Sequence, residues 1–144
     1  MSWLKSMMEK EPPEPQNPIG TVVIGNIEPD MHDTAKEQVR KALKRAGFKT
    51  IDAGKSVPAQ VFVDKAKEGN ADIIALSVNT VPAKNNLAKF DQALKDAGLK
   101  DKIVLILGGA AIKKEDAEAI GGLFGKNKEE GVELAKKAIA GKKK

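Results

Sequence analysis

Short apolar runs alternate along the chain with stretches in which apolar residues recur at helical spacing. The runs occupy residues 21–25, 48–53, 71–77, 102–109 and 121–125. Their lengths and composition predict strands. The second run alternates with polar residues, as an edge strand does, whereas the third and fourth are apolar enough to be buried on both faces of a sheet.

The intervals between these runs predict helices. Helix-spaced apolar sets are Val39, Ala42, Leu43 and Ala46, then Ala59, Phe62, Val63 and Ala66, then Leu87, Phe90, Leu94 and Ala97. A short helix is predicted around 114–119 and a last one near 129–140, with Leu134, Ala135 and Ala138 facing inward. Four of these helices are followed by a glycine, as helix C-termini prefer: Gly47, Gly69, Gly98 and Gly141.

Strands that alternate with helices over such short connections form parallel sheets. The pattern therefore predicts an α/β fold, namely a flavodoxin-like (Rossmann-like) five-stranded parallel sheet in the order 2-1-3-4-5 with helices on both faces. The length of 144 residues suits one such domain, expected over 20–141. We expect residues 1–19 to form a short helix and a proline-rich linker, and 142–144 to be a basic tail.

The amino-acid composition excludes some classes of function and argues against others. The chain has no cysteine and one histidine, which excludes thiolate catalysis, disulfides and a two-histidine metal site within the chain. Its +5 charge is mostly interleaved with acidic residues and aromatic residues make up only 3%, which argues against nucleic-acid binding. No apolar stretch has the length of a membrane span and no secretory signal pattern occurs, so we expect a cytoplasmic protein without membrane contact.

Three loops stand out because they follow strands at one edge of the predicted sheet. "NIEPDMHDTA" follows the first strand and holds the only histidine, "SVNTVPAKNN" follows the third and "GGAAI" the fourth. The carboxyl ends of parallel strands lie at the same edge, where α/β proteins bind ligands. We therefore expect these loops to meet in one site, whereas "AGKSVP" after the second strand is more ordinary.

The histidine loop has two interpretations. Thr34 and Glu37 have the spacing of a capping box, and Asp33 would favour the positive end of the helix. These structural roles leave Asp30 and His32 unexplained. A carboxylate that accepts from one imidazole nitrogen typically supports a histidine that binds metal through the other, although a lone D-x-H pair is more often an exposed or helix-capping histidine.

Other cofactors fit the sequence less well. "GGLFGK" is one residue short of a phosphate loop and has Asn127 where a hydroxyl would hold magnesium. A phospho-acceptor receiver domain would have an aspartate where Ser77 ends the third strand, and the aromatic residues that flank flavins are scarce.

Taken together, the three loops resemble the signature of the cobalamin-binding domain family: D-x-H-x-x-G after strand 1, S-x-L or S-x-T after strand 3, and a glycine pair after strand 4. The counterparts here are Asp30, Met31 and His32 with Ala35 at the glycine position, then Ser77, Val78 and Asn79, then Gly108 and Gly109. The resemblance covers about residues 20–140 and is closest to corrinoid methyl-carrier proteins of methyltransferase systems. Ala35 and Asn79 depart from the family pattern.

The resemblance implies cobalamin, as methylcobalamin or a related corrinoid, bound base-off. Its nucleotide tail would enter a slot beside strands 1 and 3, with His32 as the lower axial ligand of cobalt and Asp30 as its support. No catalytic residue is implied. The implied cofactor-binding residues are Asp30, Met31, His32, Asp33, Thr34, Ala35, Ser77, Asn79, Thr80, Gly108, Gly109 and Gly125.

By this resemblance the chain is a cofactor-carrying subunit that presents cobalt to partner methyltransferases, and not a complete enzyme. Methyl carriers usually have an N-terminal helical bundle over the upper cobalt face, which "MSWLKSMMEK" cannot supply. We therefore expect either that a partner subunit covers that face or that the chain is a cut-down or redesigned domain. Two alternatives stay open: the small subunit of an adenosylcobalamin-dependent mutase, and a domain that keeps the fold, binds no corrin and acts through protein contacts.

Overall fold

The computed structural model describes residues 10–142, so the helix predicted near the N-terminus lies largely outside the described residues. In chain order the elements are β1 (Thr21–Ile27), α1 (Thr34–Arg45), β2 (Lys49–Val57), α2 (Ala59–Gly69), β3 (Ile73–Ser77), α3 (Val81–Lys84), α4 (Leu87–Asp96), β4 (Val104–Gly108), α5 (Lys114–Ala119), β5 (Leu123–Phe124) and α6 (Lys128–Lys142). The five strands pair in parallel in the order β2-β1-β3-β4-β5, which confirms the predicted topology. Within the described range no helix is long and apolar enough to cross a membrane.

The core has two layers, one on each face of the sheet. Successive strand side chains point to opposite faces, so Val22 and Ile24 of β1 pack with α1 and α6, while Val23 and Ile27 pack with α2, α4 and α5. The central strand β3 is buried along its whole length, as its apolar composition predicts. Helices therefore cover both faces and leave the carboxyl edge of the sheet to the loops.

The second strand is longer than predicted. It continues through "AGKSV" to Val57, with positive φ at Gly54 (105°) and Ser56 (52°) and irregular pairing to β1. As a result, the Ser56 N–H donates to the Asp30 carbonyl over 2.8 Å and the Glu28 N–H to the Val57 carbonyl over 3.0 Å. The segment expected to be an ordinary loop is thus a strand end that holds the histidine loop in place.

The predicted capping box is wrong. Helix α1 begins at Thr34, Asp33 is its N-cap residue without a side-chain hydrogen bond, and the Glu37 carboxylate instead accepts from Lys36 Nζ and the Arg40 guanidinium at 2.9–3.0 Å. Charged donors bind a carboxylate more strongly than a main-chain N–H does, which explains the preference. The Arg40 hydrogen bond is the main reason that the pKa of Glu37 lies at about 2.

Other local predictions differ at single residues. Gly47 and Gly98 end their helices with positive φ, as predicted, but Gly69 is the last residue of α2, Asn70 takes the left-handed conformation (φ 49°), and Gly141 lies inside α6. The loop predicted after β3 contains the short helix α3. Its N-cap residue Thr80 accepts from the Ala83 N–H over 3.3 Å.

Ion pairs connect the proline-rich linker to α1. Glu11 accepts from the Arg40 guanidinium at 2.6 and 2.8 Å and from Lys44 Nζ at 2.6 Å, and Pro12 next to it is buried. The bond from Arg40 is the largest cause of a Glu11 pKa of about 2. The described part of the linker therefore lies along α1.

Candidate functional site

The three loops that follow β1, β3 and β4 meet at the carboxyl edge of the sheet, as the sequence predicts. The Val78 N–H donates to the Gly108 carbonyl over 2.8 Å, and the Ala111 N–H to the Val78 carbonyl over 3.2 Å. The Asn79 N–H donates to Asp30 Oδ2 over 2.8 Å, across 49 residues of sequence. These bonds join the loops into one structure.

Asp30 lies at the centre of this structure and is fully buried. Within residues 10–142, five hydrogen bonds reach its carboxylate: Oδ1 accepts from His32 N at 2.9 Å and pairs with His32 Nδ1 at 3.0 Å, and Oδ2 accepts from Asn79 N at 2.8 Å, Asn79 Nδ2 at 2.9 Å and Asn26 Nδ2 at 3.2 Å. Burial raises the pKa of Asp30, but these donors outweigh it and leave the pKa below its ordinary value. The carboxyl is therefore an ionised acceptor.

Asp30 contacts the Nδ1 nitrogen of the His32 ring as well as the His32 main-chain N–H. An ionised carboxylate accepts, so Nδ1 carries the hydrogen of this bond, and in a neutral imidazole the lone pair is then on Nε2. The side chain is 72% exposed. A ring whose tautomer and orientation are fixed while its second nitrogen is open to ligands has the geometry of a metal-binding histidine.

A cavity of about 530 Å³ lies beside this pair, between α1 and α6 on the sheet. Its floor is formed by the small or apolar residues Ile24, Ala75 and Ile106. Half of the predicted cofactor-binding residues line it: Ala35, Ser77, Asn79, Gly108, Gly109 and Gly125. A cavity of this size, with apolar residues and a few polar groups in its lining, suits a small organic group.

The glycines near the cavity allow close backbone packing. A Cβ on Gly108 would lie 2.9 Å from the Gly125 carbonyl oxygen, and one on Gly109 would lie 2.1 Å from the Val78 carbonyl oxygen. Gly109 also has a φ of 131°, which side chains rarely allow. The close packing of main-chain atoms at this edge therefore requires glycine at both positions.

The other predicted residues lie around the cavity and not among the residues that line it. Met31 is 56% exposed beside His32, and Thr34 is exposed at the start of α1. Asp33 is 4.0 Å from Lys55 Nζ, and the Thr80 hydroxyl caps α3. Met31 is the one of these four residues that directly precedes His32 in the sequence.

Two residues of the site were missed by the sequence reasoning. Asn26 is fully buried, and its Nδ2 donates to Asp30 and to the His32 carbonyl (3.0 Å), while its Oδ1 has no partner among the described residues. Lys36 is 3% exposed, lines the cavity and binds Asp52 at 2.9 and 3.1 Å. Burial lowers the pKa of Lys36, but its bonds to Asp52 and Glu37 raise it above the ordinary value.

A signal for both existed in the sequence. Asn26 lies two and four residues after Ile24 and Val22 in a strand that is otherwise apolar. Its side chain therefore points to the same buried face of the sheet as theirs. Lys36 precedes Val39 and Leu43 at helical spacing and so belongs to the inward face of α1. A polar residue at an inward position indicates a buried polar network.

We expect Asp30→Asn to weaken the site without unfolding the protein. An amide offers one acceptor oxygen where the carboxylate offers two, so donors on one side lose their partner, at a cost of about 1–3 kcal/mol in the free energy of unfolding. Chemical denaturation measures this loss. The control is Asp64→Asn, because Asp64 is exposed and accepts from the Gln60 side chain over 2.9 Å. Equal losses in the two variants would contradict the network described above.

The fold and the site together define a class: an α/β domain whose strand-end loops hold one oriented, exposed imidazole beside a deep cavity. Among the described residues, no group of three or more carboxylate, imidazole or thiol side chains is arranged to hold a metal ion. The family model for the B12 binding domain matches residues 20–135, and the chain belongs to this family. Cobalamin is accordingly its cofactor.

Individual relatives agree with this assignment. Trimethylamine corrinoid protein 1 of Methanosarcina acetivorans is 40% identical over 128 residues, which are 88% of this chain and 59% of that protein. Dimethylamine corrinoid protein 3 of Methanosarcina mazei is 38% identical over 126 residues, which are 85% of this chain and 74% of that protein. The chain spans about three fifths of the length of the trimethylamine corrinoid proteins that it matches.

A solved structure shares the fold and part of the sequence. The crystal structure of a cobalamin-binding protein from Desulfitobacterium hafniense DCB-2 superposes with a TM-score of 0.79 at 30% identity, over 83% of this chain and 58% of that one. The predicted relation to corrinoid methyl-carrier proteins is therefore confirmed.

Proposed function

We propose that the chain carries cobalamin base-off, with His32 Nε2 as the lower axial ligand of cobalt and the nucleotide tail in the cavity between α1 and α6. One observation carries the proposal: the Asp30 carboxylate, buried and ionised, fixes Nδ1 of a histidine that is 72% exposed. The cavity beside it has the volume for an organic group, about 530 Å³. The family assignment supplies the cofactor.

Four residues around His32 have roles in this proposed function. Asp30 keeps the proton on Nδ1 and raises the basicity of Nε2. Asn26 and Asn79 saturate the far oxygen of Asp30, so that the carboxylate cannot turn away from the imidazole. The Ser77 hydroxyl provides one of the polar contacts in the cavity, beside the apolar residues of its floor. The bound cofactor supplies cobalt as the carrier of a methyl group.

We further propose that the loaded chain presents its cofactor to partner methyltransferases. The relatives named above are methylamine corrinoid proteins, which supports a role in methyl transfer. Two apolar side chains of the site loops are largely exposed: Met31, next to His32 in the chain, at 56%, and Val81, at the start of α3, at 63%. Apolar exposure at the rim of a site is typical of surfaces that become covered on binding.

The test of cofactor binding uses the purified chain and hydroxocobalamin. After mixing and desalting, we expect the protein fraction to retain the corrinoid and to show the visible spectrum of histidine-ligated, base-off cobalamin. The Co(II) form should show nitrogen coupling from histidine in its electron paramagnetic resonance spectrum. Protein that emerges without corrinoid would contradict the proposal and favour a fold that acts through protein contacts alone.

We expect Ala35→Gly to tighten the binding of complete cobalamin. Ala35 lines the cavity from the first turn of α1, at the position where the family has glycine, so its methyl group reduces the room for a tail. Overpacking by a methyl group costs on the order of 1–3 kcal/mol, or roughly 5 to 150 fold in affinity. Titrations with cobalamin and with cobinamide, which lacks the tail, measure the effect.

Cobinamide is the control in this experiment. Its affinity should hardly change in Ala35→Gly, because it places nothing in the cavity. An equal gain for cobinamide, or no gain for cobalamin, would show that residue 35 does not border the tail.

A further inference from the structure

The side-chain amide of Asn79 connects all three loops of the site. Nδ2 lies 2.9 Å from Asp30 Oδ2, 3.0 Å from Ser77 Oγ and 3.2 Å from the His32 carbonyl oxygen, while Oδ1 accepts from the Ala110 N–H over 3.1 Å. The partners fix the orientation of the amide, because a carboxylate and a carbonyl only accept and an N–H only donates. No other residue of the site contacts each of the three loops through one side chain among the bonds described above.

The amide nitrogen has fewer hydrogens than neighbours. Its two hydrogens are shared among three acceptors, so a stronger bond to one acceptor weakens the bonds to the others. Two of these acceptors, the Asp30 carboxylate and the His32 carbonyl, are on the histidine loop. The third, Ser77 Oγ, is on a residue that lines the cavity and is 7% exposed.

Ser77 makes the arrangement sensitive to the contents of the cavity. Its Oγ accepts from Asn79, so the hydroxyl hydrogen remains to be donated to a group that enters the cavity. A hydroxyl that donates becomes a better acceptor, because hydrogen bonds in a chain polarise one another. An acceptor group in the cavity would therefore strengthen the hydrogen bond from the Asn79 amide to Ser77 and weaken the one to Asp30.

We propose that Asn79 is a positioning residue that couples occupation of the cavity to the Asp30–His32 pair. Histidine ligation of cobalt then differs between corrinoids with and without a nucleotide tail, and this difference passes through the Asn79 amide. The inference rests on the proposed function, and adds to it that a residue outside the family pattern determines how strongly the two halves of the site depend on each other.

The experiment compares cobalamin and cobinamide in the parent chain and in Asn79→Ala. The fraction of histidine-ligated cobalt is measured from the visible spectrum and from nitrogen coupling in the Co(II) electron paramagnetic resonance spectrum. In the parent we expect this fraction to differ between the two corrinoids. In Asn79→Ala we expect the difference to disappear, together with a loss of histidine ligation of roughly 10 to 100 fold, as for other groups that support a metal ligand.

Three further single variants and one double variant isolate the coupling. Asn79→Thr keeps the volume, but its hydroxyl has one hydrogen and cannot donate to two acceptors at once. It should therefore also lose the difference, and it serves if the alanine variant does not fold. Ser77→Ala should lose the difference as well, and the double variant with Asn79→Ala should add nothing further. Asn85→Ala, an exposed asparagine at the end of α3, is the matched control and should behave as the parent.

The two proposals fail in different ways. A parent chain without histidine ligation in either corrinoid contradicts both the proposed function and the role of Asn79. A parent that binds through His32, with the same difference between corrinoids in Asn79→Ala and Asn79→Thr as in the parent, contradicts the role of Asn79 alone.

Discussion

Replacement of His32 by alanine is expected to remove the histidine-ligated spectrum while the protein stays folded. The side chain is 72% exposed and contributes one of the hydrogen bonds to Asp30, so the free energy of unfolding should fall by no more than about 1 kcal/mol. The His32 N–H still donates to Asp30 Oδ1 in the variant, because that bond uses the main chain. The loop should therefore keep its conformation.

The effect on the cofactor should be much larger than the effect on stability. We expect cobalamin affinity to fall by more than the roughly 10 to 100 fold that follows loss of a supporting group, since the metal ligand itself is removed. Titration with hydroxocobalamin and the spectrum of the desalted complex measure both changes. Asn85→Ala, which replaces an exposed asparagine at the end of α3, is the control. An unchanged spectrum in His32→Ala would exclude His32 as the ligand.

Gly109→Ala is expected to cause the largest loss of stability among single substitutions at the site. The added Cβ would lie 2.1 Å from the Val78 carbonyl oxygen, and the residue has a φ of 131°. Strained backbone costs about 1–3 kcal/mol and overpacking about as much again, so the free energy of unfolding should fall by roughly 2–6 kcal/mol. The Val78 carbonyl also accepts from Ala111, so the collision would disturb the junction between the loops after β3 and β4.

Gly98→Ala provides the comparison, because Gly98 also has positive φ (71°) but nothing within 4 Å of an added Cβ. Its loss should be limited to the conformational cost, about 1 kcal/mol. Denaturant unfolding of both variants and of the parent separates the two contributions. If the two variants lost the same stability, the close approach between Gly109 and Val78 would not be a feature of the folded protein.

The hydrogen-bonded loops also bear on how the cofactor is bound. The donors around Asp30 all come from the protein itself, and the carboxylate in turn holds the His32 imidazole in one orientation. A preorganised ligand lowers the cost of ordering that binding otherwise includes.

Much of this protein follows from the sequence alone. The parallel five-stranded sheet and the helices on both faces follow from the spacing of apolar residues, since that spacing states directly which side of each element faces the core. The meeting of three loops at one edge follows from the topology, because all parallel strands end on the same side. The family follows from the residues that these loops carry, including Asp30 and His32.

Only the tertiary structure decided which polar groups pair with each other. Asn79 departs from the family pattern, yet it reaches Asp30 across 49 residues and Ala110 across 31. Glu37 prefers charged side chains to the capping box that its spacing predicts, and the end of β2 becomes a support for the histidine loop. Hydrogen bonds depend on distance, direction and competition among all groups within reach. A local pattern describes only the neighbours in sequence, whereas the fold determines which partners are close enough to compete.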